Sequence, residues 1–438
     1  MSDNTNKTGI TIACAACGEK FNDLTALATC SKCGGLLDIT PAMPALCSEE
    51  LQNLFDGRVS VTAMRGSAAG RSGVWRFREL VMPISDADIV SHPEGNTPLL
   101  ERPVISKFAG VKNLLIKHEG FNPTGSFKDR GMTVAVTQAK RCGATAIACA
   151  STGNTSSSLA AYGAQAGIPA LVMVPAGRIT MGKLAQTVAY GARTLLVRGD
   201  FDDCLRLVRE SSEKLGVYLA NSLNPFRIEG QKTIMFELLQ QLAWQSPDWV
   251  ALPAGNLGNT SAFGKALREA QALGLIKRIP RLLSVQASGA APFAHDFADN
   301  FAKRTSVRAE TIATAIRIGD PASWDRAVSA IRFTNGVVTS VSDEQIMQAK
   351  QVIDASGVGC EPASAASVAG VRELVARGII APHERVVAML TGHILKDPEK
   401  LLNTNDAHGH AAANAPIEID ATLSAVERVL QTATKAKN

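Results

Sequence analysis

The stretch NLLIKHEGFNPTGSFKDRGMTVAVTQAKRC, from Asn113 to Cys142, contains a strand, a turn and a helix in immediate succession. The apolar run that ends at His118 predicts a buried strand, and the turn FNPTG contains the proline and glycine typical of tight turns. The amphipathic run from Met132 onward predicts a helix. Ser126, with Asp129 three residues later, has the spacing of a capping box at its start. A unit of this kind indicates a layered α/β fold.

The same alternation of strands and helices continues to about residue 390. Further strands are predicted at TAIACA, PALVMV, RTLLVR, DWVALP, RLLSVQ and RVVAML. Helices are predicted at TSSSLAAYGAQAG, FDDCLRLVRESSEKLG and SAFGKALREAQALG. This pattern predicts a mostly parallel sheet with helices on both faces. Because such sheets bind ligands at the carboxyl ends of their strands, we expect functional residues in the strand-to-helix loops.

Composition and charge limit the classes of function. The net charge of +5, from 45 basic and 40 acidic residues, is too small a surplus to favour a nucleic-acid partner. No apolar run reaches the roughly 18 residues of a membrane span, and the first residues lack the apolar segment of a secretory signal. The nine cysteines do not form a secreted disulfide pattern. We therefore expect a protein of the reducing cytoplasm.

Lys128 lies in the first turn of the helix predicted after FNPTG. The positive end of the helix dipole disfavours an ammonium group there, and partial burial acts in the same direction. A lysine that is biased toward the neutral amine can form a Schiff base with an aldehyde. A solvated surface lysine is the alternative, and the residues next to Lys128 do not by themselves exclude it.

Two later loops are suited to anions. The loop from Ser151 to Thr155 offers hydroxyls, an amide and backbone N–H groups at a strand-to-helix junction, which suits a carboxylate. The loop from Gly255 to Asn259 combines glycines with a helix start, which suits a phosphate. Each loop alone is a weak signal. Together with Lys128 they predict a phosphorylated aldehyde cofactor, pyridoxal phosphate.

Eight motifs give the chain a specific resemblance to a known family. They are GNTPLL, NPTGSFKDRG, STGNTSSS, NSLNPFRIEGQKT, PAGNLGN, AIRIG, EPASAA and TGHILKDP. In this order, over roughly residues 90 to 400, they resemble the threonine synthases, which are fold type II pyridoxal-phosphate enzymes. The resemblance implies two doubly wound α/β subdomains with the cofactor in the cleft between them, and a homodimer. It also implies that O-phospho-L-homoserine and water are converted to L-threonine and phosphate by γ-elimination and β-addition.

The resemblance also implies roles for individual residues. Lys128 would hold the cofactor and move protons, Asn154 would bind the phenolic oxygen, and Thr391 would contact the pyridine nitrogen. The cofactor phosphate would be held by Gly255, Asn256, Leu257, Gly258 and Asn259. The substrate would be bound by Ser151, Thr152 and Thr155 at its carboxylate and by Asn221, Ser222 and Arg227 at its phosphate. For Arg227 alone, an ordinary surface salt bridge is the alternative.

Four cysteines near the start have the spacing of a metal site. Cys14-x-x-Cys17 and Cys30-x-x-Cys33 are separated by twelve residues, and glycines follow the second cysteine of each pair. This pattern predicts a zinc ribbon with four cysteine ligands, which is a closed structural site. Two disulfides, or a module that binds no metal, are the alternatives.

The composition divides the chain into four segments. We expect the zinc ribbon at 1–40, a linker and N-terminal extension at 41–95, the catalytic domain at 96–405, and a tail with a terminal helix at 406–438. Within the catalytic domain, residues 132–221 are expected to form a smaller, mobile half. Its closure would exclude water from the reaction.

Other functions remain open from the sequence alone. Cysteate synthase resembles threonine synthase closely but uses phosphoserine, which is one carbon shorter. Threonine dehydratase and cysteine synthase share the fold, but a dehydratase needs no second phosphate pocket. A zinc-ribbon adaptor for nucleic acid would require a basic ribbon, whereas Lys20 and Lys32 are balanced by Glu19, Asp23 and Asp38.

Overall fold

The computed structural model describes residues 9–59, 68–151, 153–177, 181–397 and 417–435. Its strands are β1 Ile10–Cys14, β2 Lys20–Phe21, β3 Leu37–Pro41, β4 Leu99–Glu101, β5 Asn113–His118, β6 Ala146–Ala150, β7 Ala170–Pro175, β8 Arg193–Val197, β9 Val217–Leu219, β10 Trp249–Pro253, β11 Arg281–Ala287, β12 Val337–Val341 and β13 Arg385–Leu390. Short 3-10 helices lie at Trp75–Phe77, Asp86–Asp88, Glu119–Phe121, Ser288–Ala290, Thr314–Ile316 and Ile394–Lys396.

The α-helices lie between and around these strands. They are α1 Ser48–Gly57, α2 Ala68–Arg71, α3 Arg78–Val81, α4 Pro103–Ala109, α5 Lys128–Arg141, α6 Asn154–Ala166, α7 Met181–Ala189, α8 Phe201–Leu215, α9 Pro225–Gln241, α10 Gly258–Ala272, α11 Pro292–Ala298, α12 Trp324–Phe333, α13 Asp343–Ala355, α14 Pro362–Ala376 and α15 Leu423–Lys435. None of the helices in the described ranges is long and apolar enough to cross a membrane.

Two parallel sheets carry the strands that follow the N-terminal segment. The larger sheet has the order β12-β11-β10-β13-β5-β4, and only its edge strand β4 runs antiparallel to its neighbour. The smaller sheet has the order β8-β7-β6-β9 and is parallel throughout. Each strand and helix predicted above is present, which confirms the α/β fold class. The central strands are continuous apolar runs because helices cover both faces, as in β10, where all residues are buried.

Helix α9 was not predicted from the sequence. It packs against α5, α10, α1 and β3, so nearly all of its residues are buried. A helix that is buried on every side has no polar face, and its sequence therefore lacks the amphipathic period that identified the other helices.

The predicted capping box at the start of α5 is wrong. Phe127 is the N-cap residue, and no side chain caps the helix. The Asp129 carboxylate instead accepts hydrogen bonds from the backbone N–H of Thr124 at 2.7 Å and from its hydroxyl at 2.6 Å. Asp129 is fully buried and points back into the FNPTG turn, so it closes the turn rather than the helix end.

The N-terminal cysteine module forms a three-stranded antiparallel sheet in the order β2-β1-β3, here called the ribbon and comprising residues 10–41. Ile10, Ile12 and Ile39 of the ribbon belong to the same buried apolar cluster as Met132 of α5 and Phe226 of α9. The ribbon is therefore part of the protein core and not an appended module.

The segment 41–95, predicted as a linker and extension, contains helices in its described parts. Helices α1 and α3 lie there, and Phe55, Trp75 and Phe77 are fully buried. Residues 60–67, which include part of the Gly/Ser/Arg patch, lie outside the described residues. The apolar side chains of this segment decide its structure more than its glycines and serines do.

The chain divides into two compact units, Met1–Lys396 and Asp397–Asn438. Its described part contains α15, which is the terminal helix predicted from the sequence. Residues 398–416 lie outside the described residues.

Helices α5 and α9 approach each other at two glycines. A Cβ atom on Gly230 would lie 1.8 Å from the carbonyl oxygen of Arg130, and one on Gly131 would lie 3.0 Å from that of Arg227. A real Cβ atom cannot approach an oxygen at the first of these distances. Glycine at 230 is therefore required for the α5–α9 contact.

Gly230→Ala should lower the free energy of unfolding by about 2 kcal/mol, because the added methyl group overpacks the contact. Gly57→Ala is the matched control, since a Cβ there meets no atom within 4 Å and the residue is exposed. The control should change stability by less than about 0.5 kcal/mol. Denaturation midpoints measure both. Equal stability of the two variants would contradict the contact.

Candidate active site

The predicted site residues lie at the carboxyl ends of parallel strands in both sheets. In the larger sheet β5, β13 and β10 are neighbours, and the segments after them hold Lys128, Thr391 and the loop 255–259. In the smaller sheet β6 and β9 are neighbours and precede the loops with Ser151 and Asn221. Strand order alone thus brings the loops of each sheet together.

Lys128 is half-buried at the first position of α5. Burial lowers the pKa of its amine to about 7, and the positive charge of Arg227 acts in the same direction, while Glu361 opposes them. This confirms the predicted bias toward the neutral amine. The reason is desolvation together with a neighbouring guanidinium, and not only the helix dipole.

Arg130, two residues after Lys128, fixes the first turn of α5. Its Nε atom donates to Glu119 Oε2 at 2.7 Å, and its Nη2 atom donates to Glu237 Oε1 on α9 at 2.8 Å. Lys117 Nζ donates to the same Glu237 oxygen at 2.6 Å. All four side chains are fully buried, and a buried charge without its partner costs several kcal/mol. These ion pairs therefore hold the backbone at the start of α5, where Lys128 lies, in a fixed position against α9.

The loop 255–259 has the geometry of an anion cradle. Leu257 adopts a left-handed backbone with φ of 63°, immediately before α10 begins at Gly258. A Cβ atom on Gly255 would lie 3.1 Å from Ile316 Cα, so the loop packs tightly against the segment beneath it. The first N–H groups of α10 have no partner within the helix, so they are available to an anion. Such a loop fits a phosphate group.

The loop after β6 contacts the larger sheet through Asn154. Asn154 Nδ2 donates to Glu361 Oε2 at 3.1 Å, and Glu361 lies before α14 without capping that helix. The sequence analysis does not predict Glu361 as a site residue, although EPASAA is one of the motifs, because a glutamate before a proline resembles an ordinary helix start. Ser151 Oγ accepts from Gly153 N–H at 3.3 Å. Thr152 lies outside the described residues, and Thr155 is half-buried.

Thr391 lies directly after β13 and is held by α14. Its hydroxyl is 3.1 Å from that of Ser364, and its carbonyl accepts from Phe127 N–H at 3.0 Å. Ser126 and Gly392 form an antiparallel bridge beside it. The segment that precedes Lys128 is thus paired with the segment that contains Thr391.

Arg227 is buried in the first turns of α9 without a carboxylate bonded to it in the described residues. Its Nη1 atom donates to the carbonyl of Ala220 at 3.3 Å, while Nε and Nη2 have no hydrogen-bond partner there. Burial lowers the pKa of its guanidinium to about 10. The alternative of a surface salt bridge is therefore wrong, and the unpaired N–H groups suit an anion.

Asn221 and Ser222 lie on the loop between β9 and α9. Asn221 Oδ1 accepts from the backbone N–H of Ala150 at 3.1 Å, so its side chain ties the ends of β6 and β9 together. Ser222 is half-buried. The structure brings both residues to the strand ends near Arg227, and Asn221 has a structural contact that the sequence did not predict.

Lys396 is a second residue that sequence reasoning missed, although it lies in TGHILKDP. Its Nζ atom donates to Thr124 O at 2.9 Å, Ser157 Oγ at 3.0 Å and Gln186 Oε1 at 2.6 Å. Ser157 and Gln186 belong to α6 and α7 beside the smaller sheet, and Thr124 belongs to the turn before Lys128. Lys396 thus joins the two sides of the cleft.

The four ribbon cysteines come together as the sequence predicts. The Sγ atoms of Cys14, Cys17, Cys30 and Cys33 all lie within 4.8 Å of one another. Cys14 Sγ is 3.4 Å from Cys33 Sγ, which exceeds the roughly 2.05 Å of a disulfide bond, and all four are free thiols. This arrangement suits tetrahedral coordination of one metal ion.

Comparison with known proteins agrees with this geometry. Residues 90–392 match the family described as "Pyridoxal-phosphate dependent enzyme". The chain is 42% identical to a threonine synthase of Methanosarcina acetivorans, covering 96% of this chain and 98% of the relative. It is 46% identical to a threonine synthase of Halalkalibacterium halodurans over 76% and 91% of the two chains. The fold matches the crystal structure of threonine synthase from Escherichia coli with a TM-score of 0.69 at 18% identity, covering 97% and 100% of the two chains.

In the cofactor-free protein, the rate at which an acylating reagent modifies Lys128 should rise with pH and level off above about 7, because the amine loses its proton near the pKa of about 7. Peptide mass spectrometry measures the rate. The exposed Lys112 supplies a reference curve from the same digest. Arg227→Gln should move the Lys128 midpoint to higher pH, since one cause of the lowered pKa is removed. A Lys128 curve that coincides with the reference curve would contradict the predicted neutral amine.

Proposed function

The chain belongs to the pyridoxal-phosphate dependent enzymes and, among them, to the threonine synthases, and from this premise we propose which of its residues bind the cofactor and the substrate. The reaction is the conversion of O-phospho-L-homoserine and water to L-threonine and phosphate. The central proposal is that Lys128 and Arg227 act as a pair, the first on the reacting carbons and the second on the phosphate.

The residues at the strand ends fit pyridoxal phosphate. The neutral amine of Lys128 can hold the aldehyde, the loop 255–259 can hold the phosphate, and Asn154 and Thr391 can bind the ring substituents. The start of α10 supports this fit, because its first N–H groups have no partner within the helix and can donate to a phosphate. When bound, the cofactor supplies an electron sink for the α-carbon of an amino acid. A threonine hydroxyl cannot force the ring nitrogen to be protonated as a carboxylate can.

Lys128 is the proposed acid and base. With its pKa near 7, the amine can take a proton from the substrate α-carbon and pass it on, and then take one from the β-carbon. As phosphate leaves and water adds at the β-carbon, one proton returns to the γ-carbon, which becomes the methyl group, and one to the α-carbon. Arg227 lowers the pKa of Lys128, so a bound phosphate, which offsets the charge of Arg227, would raise it again. Substrate binding and the proton affinity of Lys128 are therefore coupled.

The observation that carries the proposal is the buried guanidinium of Arg227. Two of its nitrogen atoms have no partner in the described residues, and no carboxylate there offsets its charge. A buried cation in this state is stable only with an anion, and a phosphate can accept both free N–H groups. Asn221 and Ser222 are proposed to complete this phosphate pocket, and Ser151, Thr152 and Thr155 to bind the substrate carboxylate.

The guanidinium of Arg227, unpaired among the described residues, weighs against a threonine dehydratase but does not distinguish a cysteate synthase. A threonine dehydratase binds a substrate without phosphate, so the buried cation would remain without an anion. Cysteate synthase would use the pocket for phosphoserine. Its phosphate would lie one carbon closer to the reacting centre, which an assay with both substrates distinguishes.

We further propose that the ribbon cysteines bind a structural zinc ion. Four thiols at this spacing, with no open position, are typical of structural zinc sites.

A homodimer, a location in the cytoplasm, a mobile half at 132–221 and the absence of a nucleic-acid partner are also parts of the proposal. The modest net charge supports the absence of a nucleic-acid partner.

Purified protein should release phosphate from O-phospho-L-homoserine faster than from O-phospho-L-serine. Lys128→Ala should abolish both turnover and the visible absorbance of the lysine-bound cofactor. Arg227→Gln should keep the absorbance but raise KM for O-phospho-L-homoserine by about a hundredfold, because a charge-assisted bidentate contact is lost. Preference for O-phospho-L-serine, or an unchanged spectrum in Lys128→Ala, would refute the proposal.

Metal analysis of the purified protein should find one zinc ion per chain. Cys33→Ser should lower the zinc content and the Tm, since metal binding contributes to folding. Cys47→Ser is the control, because Cys47 is exposed and outside the four-sulfur cluster. A full-length wild type that is folded and free of metal would overturn the assignment.

A further inference from the structure

A chain of charged side chains connects the ribbon to helix α9. Lys265 Nζ on α10 donates to Asp38 Oδ1 at 3.0 Å and to the carbonyl of Ile39, both on β3 of the ribbon. It also donates to Glu229 Oε1 on α9 at 2.6 Å. Burial alone would lower the pKa of Lys265, but the charges of Glu229 and Asp38 raise it above the ordinary range. One ammonium group thus joins three separate elements.

The chain continues into the core beyond Glu229. The second oxygen of Glu229 accepts from Lys232 Nζ at 2.5 Å, and Lys232 also bonds Glu269 Oε1 at 2.9 Å. Glu229 and Lys232 are almost completely buried. On the ribbon side, Arg326 of α12 donates to the carbonyl of Leu37. Because buried ions require their partners, the positions of β3, α9 and α10 depend on one another.

Glu229 lies two residues after Arg227 in the same helix. Residues at this spacing are about 200° apart around the axis, so their side chains leave the helix on opposite sides. Arg227 leaves the helix toward α5, where its Cβ atom would lie 3.2 Å from a Cβ on Gly131, whereas Glu229 points toward Lys265 and the ribbon. One turn of α9 therefore carries both Arg227, which is proposed to bind phosphate, and Glu229, which is connected to the ribbon.

The direction of the Arg227 guanidinium depends on where α9 lies. Among the described residues, the guanidinium makes one hydrogen bond, from Nη1 to the carbonyl of Ala220 at 3.3 Å. Few contacts of its own therefore orient it. The contact at Gly230 fixes α9 against α5, and Lys265 fixes it on the opposite side.

We propose that Lys265 is a positioning residue, which joins Asp38 of the ribbon to Glu229 and so holds Arg227 in place for the substrate phosphate. This inference rests on the proposed role of Arg227 in binding phosphate. It gives the ribbon a part in the reaction without any ribbon atom touching the substrate.

The test measures KM for O-phospho-L-homoserine and Kd for inorganic phosphate in the holoenzyme. Lys265→Met should raise both by about tenfold, while the absorbance of the lysine-bound cofactor stays unchanged. Asp38→Asn should act in the same direction with a smaller effect, and Lys265→Arg should restore most of the affinity. Lys32→Met is the control, since it removes an exposed ion pair with Glu19 inside the ribbon.

A double-mutant cycle separates a positioning role from a purely structural one. In the Arg227→Gln background, Lys265→Met should have no further effect on Kd for phosphate, because its effect acts through Arg227. If Lys265→Met does not fold, Asp38→Asn decides in its place, and the same cycle applies.

Four outcomes count against the proposals, and they distinguish the phosphate role of Arg227 from the positioning role of Lys265. Unchanged phosphate affinity in Arg227→Gln would refute the phosphate role of Arg227 itself. A loss in Arg227→Gln, with normal affinity in Lys265→Met and Asp38→Asn, would refute only the positioning role. Losses that add independently in the cycle, or an equal loss in Lys32→Met, would also refute the positioning role.

Discussion

The close contact between α5 and α9 is the constraint on which the site depends. Lys128 begins α5, and Arg227 lies in the first turns of α9. The distance between these helices therefore sets the distance between the amine and the guanidinium. Glycines at 131 and 230 allow the approach, and the Arg130–Glu237 ion pair holds it. The pKa of Lys128 is lowered by burial and by the positive charge of Arg227 on the facing helix.

The buried charges of this protein fall into two groups with different functions. Arg130, Glu119, Lys117 and Glu237 are fully paired, and they fix the backbone around Lys128. Arg227 has no carboxylate bonded to it in the described part of the chain, and its unpaired N–H groups are available to a ligand. The energetic cost of burying Arg227 without a partner is tolerated because paired ions stabilise the same two helices. Pairing thus distinguishes structural charges from the one proposed to bind substrate.

The amount that could be predicted from sequence differs between elements. The predicted strands were recognisable as short apolar runs and the predicted helices as amphipathic segments, and functional residues were expected at the carboxyl ends of the parallel strands. Helix α9 was not predictable because its burial on all sides removes the period. Lys128 and the loop 255–259 were identified from local residue types. Glu361 and Lys396 were missed because their roles come from contacts across the cleft, with Asn154 and Gln186, which no local pattern encodes. Asp129 fitted a capping box by spacing, but burial directed it into the preceding turn.

The ribbon shares its apolar core with residues that are synthesised much later, and this affects folding during translation. Ile10, Ile12 and Ile39 leave the ribosome early, whereas Phe226, which packs in the same cluster, follows almost 190 residues after the last of them. At roughly 5–20 residues per second, the isoleucine face waits about 10–40 s for this partner. Trp75 and Met132 of the same cluster are synthesised in between, so the apolar surface is covered in steps and is complete only after Phe226 has been made. This is the period of synthesis in which chaperone binding or misassembly would begin.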